Sequence, residues 1–501
     1  MKFMLILFST SLGVEILLHL VPVFWRARKL IAAFGFLLTL VASVGMLAVN
    51  PIGFTLLFAL AGLYRTFNFA RVIKGRMHER YLRLSTRRTG FVLAGLQLLL
   101  LAGWWQWHDG LVQRHTLWLA LAVLQAAVGL ILLVSTARNL RRSRPWLARK
   151  HFSDVQLPSI TIAIPARNET QDLEECLISI IANDYPKFEV LVLDDCSQNK
   201  RTPEIIRSFA HEGVRFIAGD VPKDTWLPKN QAYDQLVREA SGEYILFCGV
   251  DVRFEPDTIR KIVTVMLAKQ KEMMSILPHR ADVAIESFSL LQAMRYWWEL
   301  VPPRRQFRRP PVIGSSWIIT AKALHATGGF RAVSRAIVPE AYFARQLIAH
   351  DKYSFVRDDG SLGISSVKAA ADQRNTALRV RYPQLHRRPE LVYIVSVLEV
   401  LFLALPFAVA MAGTWLPVSA LTQFFATVAA GFLAVSYLQM AMATRINKWW
   451  FALIALPFVV AADLAWLHRS MWQYEFAEVE WKGRNVCVPV MHTYPHLPDA
   501  R

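Results

Sequence analysis

Acidic residues are scarce in this chain. Asp and Glu number 38 against 57 Lys and Arg in 501 residues, and charged residues make up only 19%. A soluble domain carries roughly 25%. The hydrophobic fraction is 54%, which excludes disorder, since disorder requires low hydrophobicity with high net charge. The same balance argues against a purely soluble enzyme. Cysteine is nearly absent. Cys176, Cys196, Cys248 and Cys487 are widely spaced, with no Cys-x-x-Cys. That excludes a disulfide framework and a zinc site and fits reduced thiols. The 23 Gly and 24 Pro exclude collagen-like and low-complexity repeats. No Gly-x-Gly-x-x-Gly and no Walker loop occurs, which argues against dinucleotide and P-loop chemistry.

What the chain does have is long apolar runs. A bilayer span needs about 20 mostly apolar residues. Candidate spans lie at 4–24, 31–49, 52–66, 89–106 and 117–136, then at 391–412, 414–437 and 449–467. The first run ends in Arg26-Ala27-Arg28-Lys29, which predicts a retained anchor rather than a cleaved signal peptide. Residues 71–88 and 138–150 are basic loops whose only acid is Glu79. Basic loops stay cytoplasmic, so the amino terminus is expected outside and residues 137–390 in the cytoplasm. The net charge of +19 then reflects topology and attraction to anionic headgroups. No nucleic-acid recognition module appears, so nucleic acid is not an expected partner. Glu15, Glu399 and Asp463 lie inside candidate spans, each isolated in sequence, and are expected between helices or at the interface.

The predicted organisation is membrane helices over 1–136 (about five), a basic cytoplasmic linker over 137–158, and a soluble domain over 159–375. A basic interfacial segment follows at 376–390, then two or three membrane helices over 391–467 and a tail over 468–501. In the soluble part, SITIAIP, FEVLVLDD, VRFIAG and EYILFCGVD read as strands bounded by breakers. Between them DLEECLISIIAND, TPEIIRSFAHE and KNQAYDQLVREA carry apolar residues at helical spacing, with Thr202 expected to cap the second. Alternating strands and helices predict an α/β fold of Rossmann type. Its sheet is mostly parallel with helices on both faces, inserted between transmembrane helices. Ligands of such sheets bind at the carboxyl ends of strands. Here those ends carry Arg167-Asn168-Glu169, Asp194-Asp195 and Asp251.

The order IPARNE, LVLDDCS, WLPKNQA, ASGEYILFCGVDV and then Gly-Gly-Phe resembles glycosyltransferase family 2 over roughly residues 159–350. The flanking spans and VEWKGR at Val479–Arg484 look most like its non-processive membrane members, the hopanoid-, carotenoid- and ceramide-type enzymes. The resemblance implies a GT-A fold and a nucleotide-diphosphate sugar donor, UDP-linked. It also implies Mg²⁺ or Mn²⁺, inversion at the anomeric carbon, and a lipid or lipid-linked acceptor. The location implied is the cell (inner) membrane, multi-pass, with the catalytic domain cytoplasmic. Residue by residue, Pro165, Ala166, Arg167 and Glu169 match the first nucleotide-binding turn, and Asp194 with Asp195 the carboxylates that read base and ribose. Trp226 and Lys229 match a Trp-x-x-Lys that closes on the nucleotide. Asp251 matches the last acid of the metal-binding Asp-x-Asp, and Gly314 and Ser315 small residues of the sugar and acceptor pocket.

Three departures stand beside these matches. Gly249 replaces the first acid of Asp-x-Asp. In IVPEAYFARQL, Glu340 aligns with the Glu of a Glu-Asp pair and Ala341 stands where the base is expected. Either Glu340 takes that role, or the alignment slips by one, or the protein is no ordinary catalyst. The Gln-x-x-Arg-Trp motif reduces to ADQRNTALRVRYPQLHRR, with Gln373 and Arg374 as its start, Arg379 or Arg381 as diphosphate contacts and Tyr382 as the aromatic. The segment YWWELVPPRRQFRRPP is expected to settle on headgroups beside the acceptor entrance. Two rival readings follow: a catalytically degenerate binding or scaffold protein, and a polysaccharide synthase. Three spans after residue 390 put the tail outside, whereas VEWKGR resembles a segment expected near the cytoplasmic domain.

Overall fold

The β-branched runs form the strands expected of them. In the computed structural model these are β1 (Ile160–Ala166), β2 (Phe188–Asp194), β3 (Val214–Ala218), β4 (Tyr244–Cys248), β5 (Val252–Phe254) and β6 (Met273–Leu277). They are followed by β7 (His279–Arg280), β8 (Ser316–Thr320), β9 (Tyr353–Arg357) and β10 (Ile364–Ser366), with β11 (Glu480–Trp481) and β12 (Arg484–Asn485) as a hairpin near the end. The main sheet has the order β3-β2-β1-β4-β8-β6-β9. All pairs are parallel except those of β8, which runs antiparallel to both β4 and β6. The structure describes residues 28–49, 115–145, 152–223, 225–281, 288–301, 310–368, 370–412, 418–444, 449–476, 479–482 and 484–485, with isolated positions between 4 and 73. Of the expected spans, 89–106 lies outside these residues, and 4–24 and 52–66 are described only at scattered positions. Glu15 and Cys487 also lie outside them.

Side chains alternate across a strand, and here the two sets build two cores. Ile160, Ile162, Ile164, Val190, Val192 and Leu246 face one side. There they bury α3 (Gln171–Ile181), α4 (Arg201–Ser208) and α6 (Thr258–Ala268). Ala163, Leu191, Leu193, Ile245 and Phe247 face the other, against α5 (Pro228–Glu239) and α9 (Pro339–Ile348). Both α5 and α9 open with proline, whose fixed φ suits a first helical turn. Their packing is aromatic. Phe247 stacks on Trp317 at 4.2 Å between ring centroids, and Tyr233, Phe330 and Phe343 close round that pair. The short α8 (Ala321–Ala326) ends at Gly328 and Gly329, both at positive φ. Thr202 does not cap α4. It lies inside the first turn, and its hydroxyl donates to the Glu169 carbonyl (2.8 Å) while Asn199 Oδ1 accepts from its backbone N–H.

Five helices among the described residues are long and apolar enough to cross a membrane. They are α1 (Arg28–Val49), α2 (His115–Arg142), the run α11 (Pro389–Glu399) to α12 (Leu405–Ala412) joined by one π turn, α13 (Ala420–Ala443) and α14 (Ala452–Phe476). Between domain and bundle lie α7 (Phe288–Leu300) and α10 (Ala370–Gln384). Helix α13 starts six residues later than the apolar run, because Ser419 caps it through a bond from the Thr422 amide. Helix α14 continues past residue 467 because its polar residues face partners: His468 meets Ser396 (2.9 Å), and Ser470 bonds the Leu378 carbonyl. Gly129 of α2 lies against the Ala429 carbonyl and Phe432 of α13, so the two backbones approach closely. A Thr136–Ser436 hydrogen bond (2.7 Å) fixes the same register, with the helices parallel.

Arg357, the last residue of β9, ties these helix ends to the sheet. Its backbone N–H bonds the Ser143 carbonyl just past α2, and its guanidinium bonds the Ala443 carbonyl at the end of α13 (both 2.7 Å). The guanidinium at the carboxyl end of α13 is favourably placed for that helix's dipole. Trp297, expected at the headgroups, is instead buried in the bundle, where its indole N–H donates to Ser436 (2.9 Å). The arginines at 304–309 lie outside the described residues. Asp463 and Glu399 are not isolated: both approach Arg381 of α10.

Candidate functional site

Parallel pairing of β1 with β2 sets Pro165 beside Leu193 and Ala166 beside Asp194. The residues just beyond both strands therefore emerge together. Asn168, at positive φ, locks the two loops: its amide donates to Ser197 Oγ, and its side-chain oxygen accepts from the Gln198 amide. Gly219 is needed at the end of β3, because a side chain there would lie 2.6 Å from the Asp194 carbonyl. The two aspartates separate in role. Asp194 accepts from the Ser197 amide and closes the turn. Asp195 is buried, and its Oδ1 accepts from Arg484 (2.6 Å). Arg167 is buried and spans the loops, donating to the Asp195 carbonyl (2.7 Å) and to the Lys482 carbonyl (3.0 Å). Glu169 pairs with Lys482.

Antiparallel β4–β8 pairing joins the next part of the rim. Cys248 lies beside Ser316, and the Gly249 amide bonds the Ser315 carbonyl (3.0 Å). Gly314 and Ser315 thus sit next to the Gly249-Val250-Asp251 turn. Ser366 Oγ reaches Asp251 Oδ2 at 3.4 Å. A side chain at 249 would begin 2.5 Å from Asp251 Oδ1, so the glycine leaves the Asp251 carboxylate lying where its neighbour's side chain would go.

Glu340 enters from the first turn of α9. It is buried, and its Oε2 has no hydrogen-bond partner among the described residues. Gly314 makes room for it, since a methyl at 314 would lie 1.8 Å from Glu340 Oε1. Ala341 packs among the apolar residues of the second core instead. Lys229, in the first turn of α5, attracts Glu340 and Asp251 and is held below the usual lysine range by burial. Lys368 lies beside Asp251, and burial lowers its pKa to about 8. Burial pushes Glu169 and Asp195 upward, against the pull of Lys482 and Arg484 respectively. Glu169 also feels Asp251. Charge thus links Glu169 with Asp251, and Lys229 with both Asp251 and Glu340.

Of the remaining expected residues, Trp226 lies half-buried in the turn before α5, against the second core. Gln373 is buried and donates to the Lys368 carbonyl, while Arg374 is exposed on α10. Arg379 faces Glu340, whereas Arg381 turns to Asp463 and Tyr382 donates to Glu475 (2.8 Å). Four cations at the cleft were not read from the sequence: Lys368, Arg295, Lys482 and Arg484. Only VEWKGR offered a signal, and only for the last two. Among the described residues no three His, Cys, Asp or Glu cluster as a metal site.

Residues 161–336 match the model of Glycosyl transferase family 2. The chain is 31% identical over 99 residues to the glycosyltransferase AglE of Haloferax volcanii, a match covering 19% of this chain and 31% of that protein. It is 28% identical over 189 residues to the 4,4'-diaponeurosporenoate glycosyltransferase of Staphylococcus aureus, covering 36% and 48%. The chain thus spans about a third to a half of the length of these curated relatives. Among solved structures, the mannosyltransferase PcManGT from Pyrobaculum calidifontis in complex with GDP-Man and Mn²⁺ aligns at 17% identity and TM-score 0.43, over 71% of this chain and 98% of that one. S. aureus TarS 1–349 in complex with UDP-GlcNAc aligns at 15% and 0.32, over 63% and 91%.

Proposed function

On the premise of a family 2 glycosyltransferase domain set among apolar helices, we propose that the protein transfers a sugar from a nucleotide-diphosphate donor, UDP-linked, to a hydroxyl of a lipid or lipid-linked acceptor, with inversion. The observation that carries this reading is Glu340. A buried carboxylate oxygen without a partner among the described residues is costly, and this one lies against Gly314 and is attracted by Lys229 and Arg379. In the proposed step the acceptor oxygen attacks the anomeric carbon from the face opposite the diphosphate. The bond from that carbon to the phosphate oxygen breaks, and its electron pair leaves with the diphosphate. The hydroxyl proton passes to Glu340 Oε2. Lys229, Lys368 and Arg379 stabilise the charge that grows on the leaving group. Asp195 and the turn at 165–169 hold the nucleotide.

A divalent cation, Mg²⁺ or Mn²⁺, fits this arrangement with Asp251 as its single protein carboxylate, since Mg²⁺ commonly takes one or two carboxylates with substrate phosphates and water. Bound there, it would neutralise diphosphate charge. Asp251→Asn is then expected to remove the cation dependence of donor binding, and unchanged dependence would refute the assignment.

The lipid acceptor rests on position. Arg379 and Arg295 come from α10 and α7, which themselves pack on the apolar helices. The acceptor side of the cleft is therefore next to the bundle, and the domain would lie on the cytoplasmic face. Gly249 and Ala341 favour the scaffold reading; against it stands the buried Glu340 carboxylate, one residue before Ala341, which can serve as the base in its place. The test is transfer of labelled sugar from a panel of nucleotide sugars into organic-extractable product by full-length protein in native membrane vesicles. A single-sugar lipid product is expected. Long polymer would favour a synthase, and donor binding without turnover the scaffold.

A further inference from the structure

The nucleotide turn is covered by a segment that lies far away in sequence. Its residues Arg167, Glu169 and Asp195 are each held by the β11–β12 hairpin. Arg167 Nε donates to the Lys482 carbonyl, Lys482 pairs with Glu169, and Arg484 donates to both a carboxylate oxygen (2.6 Å) and the carbonyl (3.0 Å) of Asp195. Lys482, at positive φ, forms the bend of the hairpin. Upstream, Val479 is buried with Leu227, Tyr382, Met471 and Tyr474, so the hairpin is anchored on the domain.

Charge explains what such a cover does. Without it, the turn holds Glu169, Asp194 and Asp195 against one cation, Arg167, and that cation is spent on carbonyls. A nucleoside diphosphate would meet net repulsion there. Lys482 and Arg484 bring the turn to balance. Glu169 also senses Asp251, and Lys482 pairs with Glu169. We infer that the β11–β12 hairpin is a wall of the donor site, and that Lys482 and Arg484 bind the nucleoside diphosphate once it enters. This inference rests on the donor reading proposed above.

The test titrates full-length protein in detergent with UDP, GDP, CDP, ADP, TDP and inorganic pyrophosphate, for the wild type, Arg484→Ala, Lys482→Ala and Arg484→Lys. Loss of a charge-assisted bond is expected to weaken diphosphate affinity about ten- to a hundredfold for either alanine variant, with Arg484→Lys recovering most of it. In the wild type, the best-binding nucleotide should slow amide exchange over 479–485. If Arg484→Ala does not fold, the other two variants and the exchange measurement still decide. Wild-type binding with unchanged or tighter affinity in the alanine variants, or with no added protection of the hairpin, would overturn the inference and leave the donor reading standing. Failure of the wild type to bind any of these nucleotides would overturn both.

Discussion

Lys368 shows how the cleft is balanced at the level of single residues. Its ammonium is attracted by Asp251, yet burial prevails and lowers its pKa to about 8. The unfolded chain keeps the ordinary lysine value, so between about pH 8 and pH 10.5 it binds more protons than the folded protein. Stability of the donor-free protein from this group therefore rises with pH through that window. Donor affinity should fall over the same window, because a neutral amine no longer attracts diphosphate. Calorimetric titration with UDP from about pH 7 to about pH 9.5 reads this, and Lys368→Met should flatten the profile. A wild-type affinity independent of pH would contradict the role. Single residues were also where the sequence was most and least informative. Asp195, Lys229 and Asp251 lie in motifs and could be named directly. The choice between Glu340 and Ala341 could not be made, since one step along a helix turns a side chain by about 100° and only the packed core shows which one faces the cleft. Lys482 and Arg484 touch partners 313 and 289 positions away, which no local pattern encodes.

Among the elements, the strands of the parallel part were legible because buried β-branched runs end in breakers. The reversal of β8 was not, because strand direction depends on the connections and not on composition. The apolar helices were found by hydropathy, but their ends were set by polar contacts that hydropathy ignores, such as the Ser419 cap and the bonds of His468 and Ser470. The pairing of α2 with α13 hinges on Gly129, which has no side chain to hold the helices apart. Gly129→Leu should destabilise the bundle by about 1–3 kcal/mol through overpacking. Thermal unfolding of the detergent-solubilised protein would register this as a lower Tm, while an unchanged Tm would show that the helices do not meet there.

For the whole molecule, the path of the chain decides where the tail lies. Helix α13 ends at the domain, where Arg357 binds Ala443, and α14 follows within a few residues. The far end of α14 leads into the hairpin on Asp195. Both ends of α14 thus lie on the domain's side, although the 27-residue apolar stretch Trp449–Glu475 is long enough to cross. Trp450 in the turn just before it and Ile454 and Phe458 on its outer side are exposed, Phe458 at 76%, as suits a helix lying along the lipid surface. A reporter fused to the carboxyl end should be accessible from the same side as the domain, and one inserted between α12 and α13 from the opposite side. Opposite placement of tail and domain would contradict this path.

The claim joining these scales is that one cleft binds the donor at Asp195 and takes the acceptor proton at Glu340. Glu340→Gln tests it most directly, since it keeps the shape and removes the base. With full-length protein and the donor sugar that supports transfer, we predict nucleotide affinity within about threefold of wild type and turnover lowered by at least about a hundredfold, as the loss of a general base requires. Turnover near the wild-type rate would contradict the account.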